Sequence, residues 1–224
     1  MNSILETVCG VCSRVRDKTK QGTSFQNLLT TVRKEFKHQG LDVKFKSTRK
    51  KYLDQEEFYV NAYYDPEDDR NNDTPIEVII YHNFDKAVVW DRQHITDLLR
   101  EVFDAVVHEY KHQRQSRKRS YNTYWDHVDG NLHYHVYLTD PDEVDAYAFS
   151  IAVELCRSLG KFRALRYMPK FTTMSRIKMK DHYASPNLYA YVSHFGSFDD
   201  QLLKTLAKKV YIRIQKLDTD FIFV

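Results

Sequence analysis

The sequence has few cysteines, no long apolar run and little net charge, and each of these absences excludes a class of protein. Three cysteines among 224 residues are an odd and sparse set, which argues for reduced thiols rather than a disulfide framework. No window approaches the roughly 20 apolar residues of a membrane-spanning helix, and residues 1–12 lack the basic and apolar regions of a secretory signal. We therefore expect a protein that stays in a cytoplasm and does not enter a membrane.

The formal net charge of +3 is too small to imply nucleic-acid binding by itself. Basic residues do cluster at residues 49–51 and again between Arg114 and Arg119. Such runs are most often solvated faces or loops. A nucleic-acid-binding module that uses the segment from Arg114 to Arg119 is therefore the weakest of the functions considered. Cys9 and Cys12 form a lone CxxC, which we interpret as a helix-borne pair of reduced thiols because no matching ligands lie nearby.

The hydrophobic pattern predicts an α+β fold, in which a small, mostly antiparallel sheet packs on one long helix and the C-terminal portion is helical. Asp65 to Pro75 is rich in acids and turn formers, so we expect a solvated loop there. The nearly continuous β-branched run at residues 76–81 predicts a strand with both faces largely covered. The predicted helices are residues 25–36, 90–116, 140–159 and 202–217, and the predicted strands are residues 41–46, 58–64, 76–81 and 133–138.

The segment His108-Glu109-Tyr110-Lys111-His112 on the 90–116 helix matches the HExxH motif. Residues four apart lie one above the other on a helix, so the two histidines can direct their imidazoles at a single ion. At about 100° per residue both lie roughly opposite the apolar stripe that contains Val106. Glu109 then lies at the flank of the same site, where a carboxylate can take a proton from a metal-bound water. These residues predict a zinc site with Glu109 as its general base.

A catalytic zinc needs a third protein ligand and keeps a fourth position for water. Glu143, near the start of the 140–159 helix, is our first choice. The alternative is that Asp140 caps this helix, with Pro141 in its first position, and that Glu143 completes a capping box. Asp145 is the substitute ligand, although it points about 200° away from Glu143 on an ideal helix.

Together, His108 to His112 and the later Glu143-Val144-Asp145-Ala146 segment resemble the gluzincin pattern of HExxH with a downstream Glu-x-x-Ala helix. The chain is similar in this respect to small cytoplasmic or phage-encoded metallopeptidases of the ImmA/IrrE-like kind. The resemblance covers about residues 76–160. It implies zinc bound by His108, His112 and Glu143, catalysis by Glu109, and a protein or peptide substrate.

The expected organisation is a zincin-like domain at residues 1–160 with a helical extension at residues 161–224. In that arrangement the strand at residues 76–81 borders the cleft, and its exposed edge binds an extended peptide by strand addition. His133 and His135 would share one face of the strand at residues 133–138 and could add a ligand or an oxyanion donor. The second hypothesis is a non-catalytic structural or interaction protein, for instance in a phage particle, that contacts phage or host proteins through Arg114 to Arg119 and residues 221–224.

Overall fold

The computed structural model describes residues 2–54, 57–85, 88–122, 133–171, 184–196 and 200–217. These residues form two compact units, the first up to Asn122 and the second from residue 133 onwards. The combination of helices with small sheets makes the fold α+β, as the sequence predicted. Within the described ranges no helix is both long and apolar enough to cross a membrane.

The first unit is built around its longest helix, α4, which packs against α1 and against strands β3 and β4. Its elements, in chain order, are α1 (Asn2–Lys18), β1 (Thr23–Ser24), α2 (Phe25–His38), β2 (Val43–Arg49), β3 (Phe58–Tyr64), α3 (Pro66–Arg70), β4 (Ile76–His82), β5 (Val89–Trp90) and α4 (Arg92–Lys118).

Helices α2 and α4 begin where a polar cap precedes an apolar stripe, which confirms both predicted helices. The Ser24 side chain accepts a hydrogen bond from the backbone of Asn27, and the Asp91 side chain accepts one from the backbone of His94. Each cap satisfies an N–H group that has no partner inside the helix. Apolar residues spaced by three and four then face the core. In α4 the buried members of this stripe are Ile95, Leu98, Leu99, Val102, Phe103 and Val106.

Strands β1 and β5 pair antiparallel immediately before α2 and α4 begin. The turn into β1 requires glycine, because Gly22 has φ +83° and a Cβ atom there would lie 2.9 Å from the Trp90 carbonyl oxygen. By contrast, Gly40, which follows α2, has φ +66° and open space around it. The two-stranded pair thus brings the chain entering α2 close to the chain entering α4.

The three-stranded sheet has the order β2-β4-β3, with β2 parallel and β3 antiparallel to the central β4. The sheet is therefore mixed, and the expectation that β4 offers an exposed edge for a peptide was wrong. Both faces of β4 were expected to be largely covered, and every residue of the strand is buried or half-buried. Burial alternates along β4, with Ile76, Val78 and Ile80 fully buried while the residues between them are partly exposed.

The predicted solvated loop at residues 65–75 contains the short helix α3, which packs against α4. Asp65 caps α3 through its side chain, and Pro66 occupies the first turn. Asp69 is buried and forms an ion pair with Arg117 of α4. The acidic segment is mainly exposed, as expected for a solvated surface segment, but it also contains a short helix and one buried structural carboxylate.

The described part of the second unit is helical. Its elements are α5 (His133–Thr139), α6 (Pro141–Leu159), α7 (Lys161–Phe171), α8 (Pro186–Phe195) and α9 (Gln201–Lys216). The predicted helices at residues 140–159 and 202–217 are confirmed as α6 and α9, whereas the predicted strand at residues 133–138 was wrong because α5 lies there. Helix α6 packs against α5, which precedes it, and against α7, α8 and α9, which follow it.

Candidate metal centre

Helix α4 brings the two histidines of the HExxH segment together. His108 Nε2 lies 3.0 Å from His112 Nε2, and the ring centroids are 4.7 Å apart with the ring planes inclined by 66°. Both residues are half-buried. A separation of 3.0 Å allows one neutral imidazole to donate its N–H to the lone pair of the other. The same two nitrogens can instead direct both lone pairs at a metal ion.

The distance between the two nitrogens can be compared with the requirements of zinc. Zinc–nitrogen bonds of about 2.0–2.1 Å at a tetrahedral angle place two ligand nitrogens about 3.3 Å apart. The observed 3.0 Å differs from this by an amount that a small rotation of either ring corrects. The pair therefore fits a zinc ion without movement of the helix backbone.

Glu109 lies between the two histidines in the sequence and is buried, with 9% of its surface exposed. On helical geometry it is turned about 100° from His108 and about 60° from His112, which places it at the flank of the histidine pair. Its neighbour Tyr110 has a pKa raised to about 12, first by burial and then by the charge of Asp42. The HExxH segment thus carries its carboxylate in surroundings with restricted access to water.

Glu143 lies in the first turn of α6, and its surroundings contradict the capping-box alternative. Asp140 caps the helix by accepting from the backbone of Asp142. In a capping box the backbone N–H of Asp140 would donate to Glu143. It donates instead to the carbonyl oxygens of Val136 and Tyr137, each at 3.1 Å. The Glu143 carboxylate is therefore not used to cap the helix.

Two tyrosines of the second unit surround Glu143. The Tyr137 hydroxyl lies 3.4 Å from that of Tyr147 and within hydrogen-bonding reach of the Glu143 carboxylate. Burial of this hydroxyl, although Tyr137 as a whole is 40% exposed, and then the negative charge of Glu143 raise the pKa of Tyr137 well above its usual value. The Tyr137 phenol is therefore neutral at physiological pH and can donate a hydrogen bond to the Glu143 carboxylate.

Asp145, the substitute ligand, is engaged elsewhere. Arg213 Nη2 of α9 donates to its carboxylate at 2.6 Å, and Lys209 Nζ lies 3.6 Å away. This double ion pair joins α6 to α9. A carboxylate held by two cations is a poor metal ligand, so the structure disfavours Asp145 as the substitute.

The other histidines considered in the sequence do not share a strand face. His135 lies on α5, where its Nδ1 is 3.1 Å from Nε2 of His194 on α8. Residues two apart on a helix point about 200° from one another, so His133 and His135 cannot act as the adjacent pair that the strand predicted. The side chain of His133 and residues 123–132 lie outside the described part of the chain.

The sequence analysis missed one group beside the HExxH segment, the carboxylate of Asp69. It accepts from Gln113 Nε2 at 2.9 Å and from Arg117 Nε at 2.9 Å, one residue and five residues after His112. The same contact shows that Arg117, part of the basic run between Arg114 and Arg119, has a structural role in the first unit. No local signal in the sequence links Asp69 to a partner 48 positions away.

Comparison with protein-family models, with curated proteins and with solved structures finds no match to this chain.

Proposed function

We propose that the protein is a zinc-dependent hydrolase of peptide bonds, with zinc bound by His108, His112 and Glu143. The observation that carries the proposal is the convergence of the His108 and His112 Nε2 atoms at 3.0 Å on one helix. Two imidazole nitrogens and one carboxylate are the ligand set of a catalytic zinc site that keeps its fourth position open. Each of the three side chains is of a type that can offer one ligand atom to a metal ion.

Each residue then has a defined role. A zinc ion bound there would supply a Lewis acid that lowers the pKa of a water towards neutrality and polarises a peptide carbonyl. The Glu109 carboxylate takes the proton of the attacking water and returns it to the departing amine. Its burial limits competing bulk water near the site. The zincin-like assignment and the choice of peptides as substrate rest on the HExxH and Glu-x-x-Ala resemblance.

The state of the thiols supports a proposal for the location of the protein. None of the three cysteines forms a disulfide, and all three are buried. Reduced cysteines are typical of a reducing compartment, so we propose that the enzyme acts in a cytoplasm or is packaged in a phage particle.

Elemental analysis tests the metal site. We expect one zinc per chain in the wild type, and loss of zinc in His108→Ala and in His112→Ala, because each removes one of three ligands. His38→Ala, an exposed histidine on α2, is the matched control and should keep its zinc. A wild type that retains no zinc after reconstitution and desalting would refute the site.

Glu109→Gln tests the chemistry separately from the metal. The amide cannot accept the proton of the water, so this variant should keep its zinc and its fold while hydrolysis of a peptide library falls by at least about 100-fold. Glu101→Gln, on the same helix two turns earlier, keeps an acceptor for the backbone N–H of Val60 and should cleave like the wild type. Equal cleavage by Glu109→Gln and the wild type excludes this mechanism. Absence of cleavage by both, with zinc bound, would favour the non-catalytic structural protein.

A further inference from the structure

One face of the three-stranded sheet is left open in the described structure, and this face is independent of the proposed zinc site. Phe45, Ile76, Val78 and Ile80 are buried on the opposite face, and burial alternates along the central strand β4. The open face carries three rows of cross-strand neighbours, each exposed or half-exposed. These rows are Lys44, Glu77 and Tyr63; Lys46, Ile79 and Asn61; and Thr48, Tyr81 and Tyr59.

Four tyrosines form a cluster on this face: Tyr52, Tyr59, Tyr63 and Tyr81. The rings of Tyr59 and Tyr81 stack at 4.6 Å with an interplanar angle of 18°, and the Tyr52 hydroxyl lies 2.9 Å from that of Tyr59. The stacked pair is explained by stabilisation of the sheet, because cross-strand aromatic pairs commonly do this. The Tyr63 hydroxyl lies within hydrogen-bonding reach of Tyr81. Even so, Tyr52 is 71% exposed and Tyr63 is 53% exposed, so most of the surface of both outer rings is open to a ligand.

Three lysines surround the tyrosine cluster. Lys44 and Lys46 lie on β2. Lys50 Nζ lies 5.1 Å from the centroid of the Tyr81 ring. Among the strand residues of this face the single carboxylate is Glu77, which pairs with Lys46 at 2.5 Å and lies 4.0 Å from Lys44. One carboxylate beside three lysines leaves the face positively charged.

The tyrosine hydroxyls do not alter this charge. The hydrogen bond between Tyr59 and Tyr52 is the main cause that raises the pKa of Tyr59 to about 12, and burial raises the pKa of Tyr81. Both phenols are therefore neutral at physiological pH and do not repel an anion that approaches the lysines.

We propose that this open face binds single-stranded nucleic acid, with unpaired bases stacked on the tyrosine cluster and phosphates held by Lys44, Lys46 and Lys50. Sheet surfaces recognise single strands in this way, because every base has a flat face and every linkage has a negative charge. Tyr59 and Tyr63 lie four residues apart on one strand, about 13 Å along β3, which gives room for two or three bases.

Fluorescence anisotropy on the full chain tests the proposal. The probes are labelled oligo-uridine and oligo-deoxythymidine of about ten nucleotides, with a duplex of the same length and poly-glutamate as comparisons. The wild type should bind the single strands more tightly than the duplex. The logarithm of its binding constant should fall with the logarithm of salt concentration with a slope of about −2, which is about −0.7 for each of three lysines. Tighter binding of oligo-uridine identifies RNA as the source, through its 2′-hydroxyls, and tighter binding of oligo-deoxythymidine identifies DNA.

Variants separate stacking from charge. Tyr63→Ala should weaken single-strand binding by about 5- to 150-fold, whereas Tyr63→Phe keeps the ring and should bind like the wild type. Lys46→Gln should reduce the salt slope by about 0.7. Tyr211→Ala removes an exposed tyrosine from α9, outside the sheet, and should have no effect.

Three results would overturn the proposal. They are absence of single-strand binding by the folded wild type at low salt, equal losses in Tyr63→Ala and Tyr211→Ala, and binding of poly-glutamate as tight as that of the single strands. The last result would show that the lysines attract any polyanion without stacking. Circular dichroism of Tyr63→Phe and Tyr63→Ala provides the control for folding.

Discussion

Replacement of Asp69 by Asn should destabilise the first unit in a way that depends on pH. The Asp69 side chain is 2% exposed and accepts from four donors on β3 and α4: Tyr64 Oη at 3.0 Å, Gln113 Nε2 at 2.9 Å, Arg117 Nε at 2.9 Å and Arg117 Nη2 at 2.6 Å. Asn keeps the shape but loses the charge, and it presents an N–H₂ group to donors. Removing one partner of a buried ion pair costs about 3–5 kcal/mol. The Arg117 side chain is 56% exposed and can be hydrated again in the variant. We therefore expect Asp69→Asn to lower the free energy of unfolding by about 2–3 kcal/mol.

The sign of the pH dependence follows from the pKa of Asp69. Burial acts to raise this pKa, but the hydrogen bonds from Arg117 and Tyr64 and the charge of Arg117 outweigh it, so the pKa lies below its usual value. A lowered pKa in the folded state gives stability that is present above the unfolded value of about 3.9 and is lost as the pH falls through the folded value. The difference in the free energy of unfolding between the wild type and Asp69→Asn should therefore be largest at neutral pH and should decrease in acid.

Urea unfolding at neutral and at acidic pH measures this difference. The sequence has two tryptophans, so a Trp125→Phe background lets the fluorescence of buried Trp90 report on the first unit. Asp68→Asn changes the exposed carboxylate next to Asp69 and should cost no more than about 0.5 kcal/mol. The reasoning is refuted if Asp69→Asn costs no more than Asp68→Asn at neutral pH, or if its cost is the same in acid.

Two further predictions concern the third ligand and a glycine. Glu143→Gln should weaken zinc retention by at least about tenfold while the melting temperature changes little, because Glu143 does not cap α6. Competition with a chelator beside thermal melts checks this, and unchanged zinc affinity with a lower melting temperature would show a structural role. Gly22→Ala should cost more than Gly40→Ala in urea unfolding. Both substitutions lower the free energy of unfolding by about 1–2 kcal/mol because alanine disfavours a left-handed backbone. Of the two, the Cβ at position 22 also lies 2.9 Å from a carbonyl oxygen. Equal losses of stability in the two variants would contradict this explanation.

The long helices could be predicted from the sequence because their determinants are local. An apolar stripe and a polar cap lie within a few residues of each other in α2, α4 and α6, where Ser24, Asp91 and Asp140 each accept a backbone hydrogen bond. The positions of His108 and His112 follow from the helix alone, so their convergence was predictable as well. The identity of the ion could not be predicted, since the same nitrogens can bind several transition metals.

Other features depend on partners that are distant in sequence. Residues 133–138 alternate in a way that favours a strand, but the segment forms α5, packs on α6, and provides the carbonyls of Val136 and Tyr137 for the Asp140 N–H. The run of β-branched residues in β4 does not indicate which face is the more buried, and Ile79 lies half-buried on the face opposite to Val78 and Ile80. Asp69 belongs to an acidic segment whose role is set by Arg117, which no short-range pattern could indicate.

The strand order has a consequence for synthesis of the chain on the ribosome. Within the described part of the chain, β2 and β3 do not pair with each other, and each pairs with β4, which follows both. The sheet therefore cannot be complete until His82, the last residue of β4, has left the exit tunnel. At a synthesis rate of about 5–20 residues per second, β2 and β3 remain without their partner strand for one to several seconds. A chaperone that recognises extended segments can bind them during that interval.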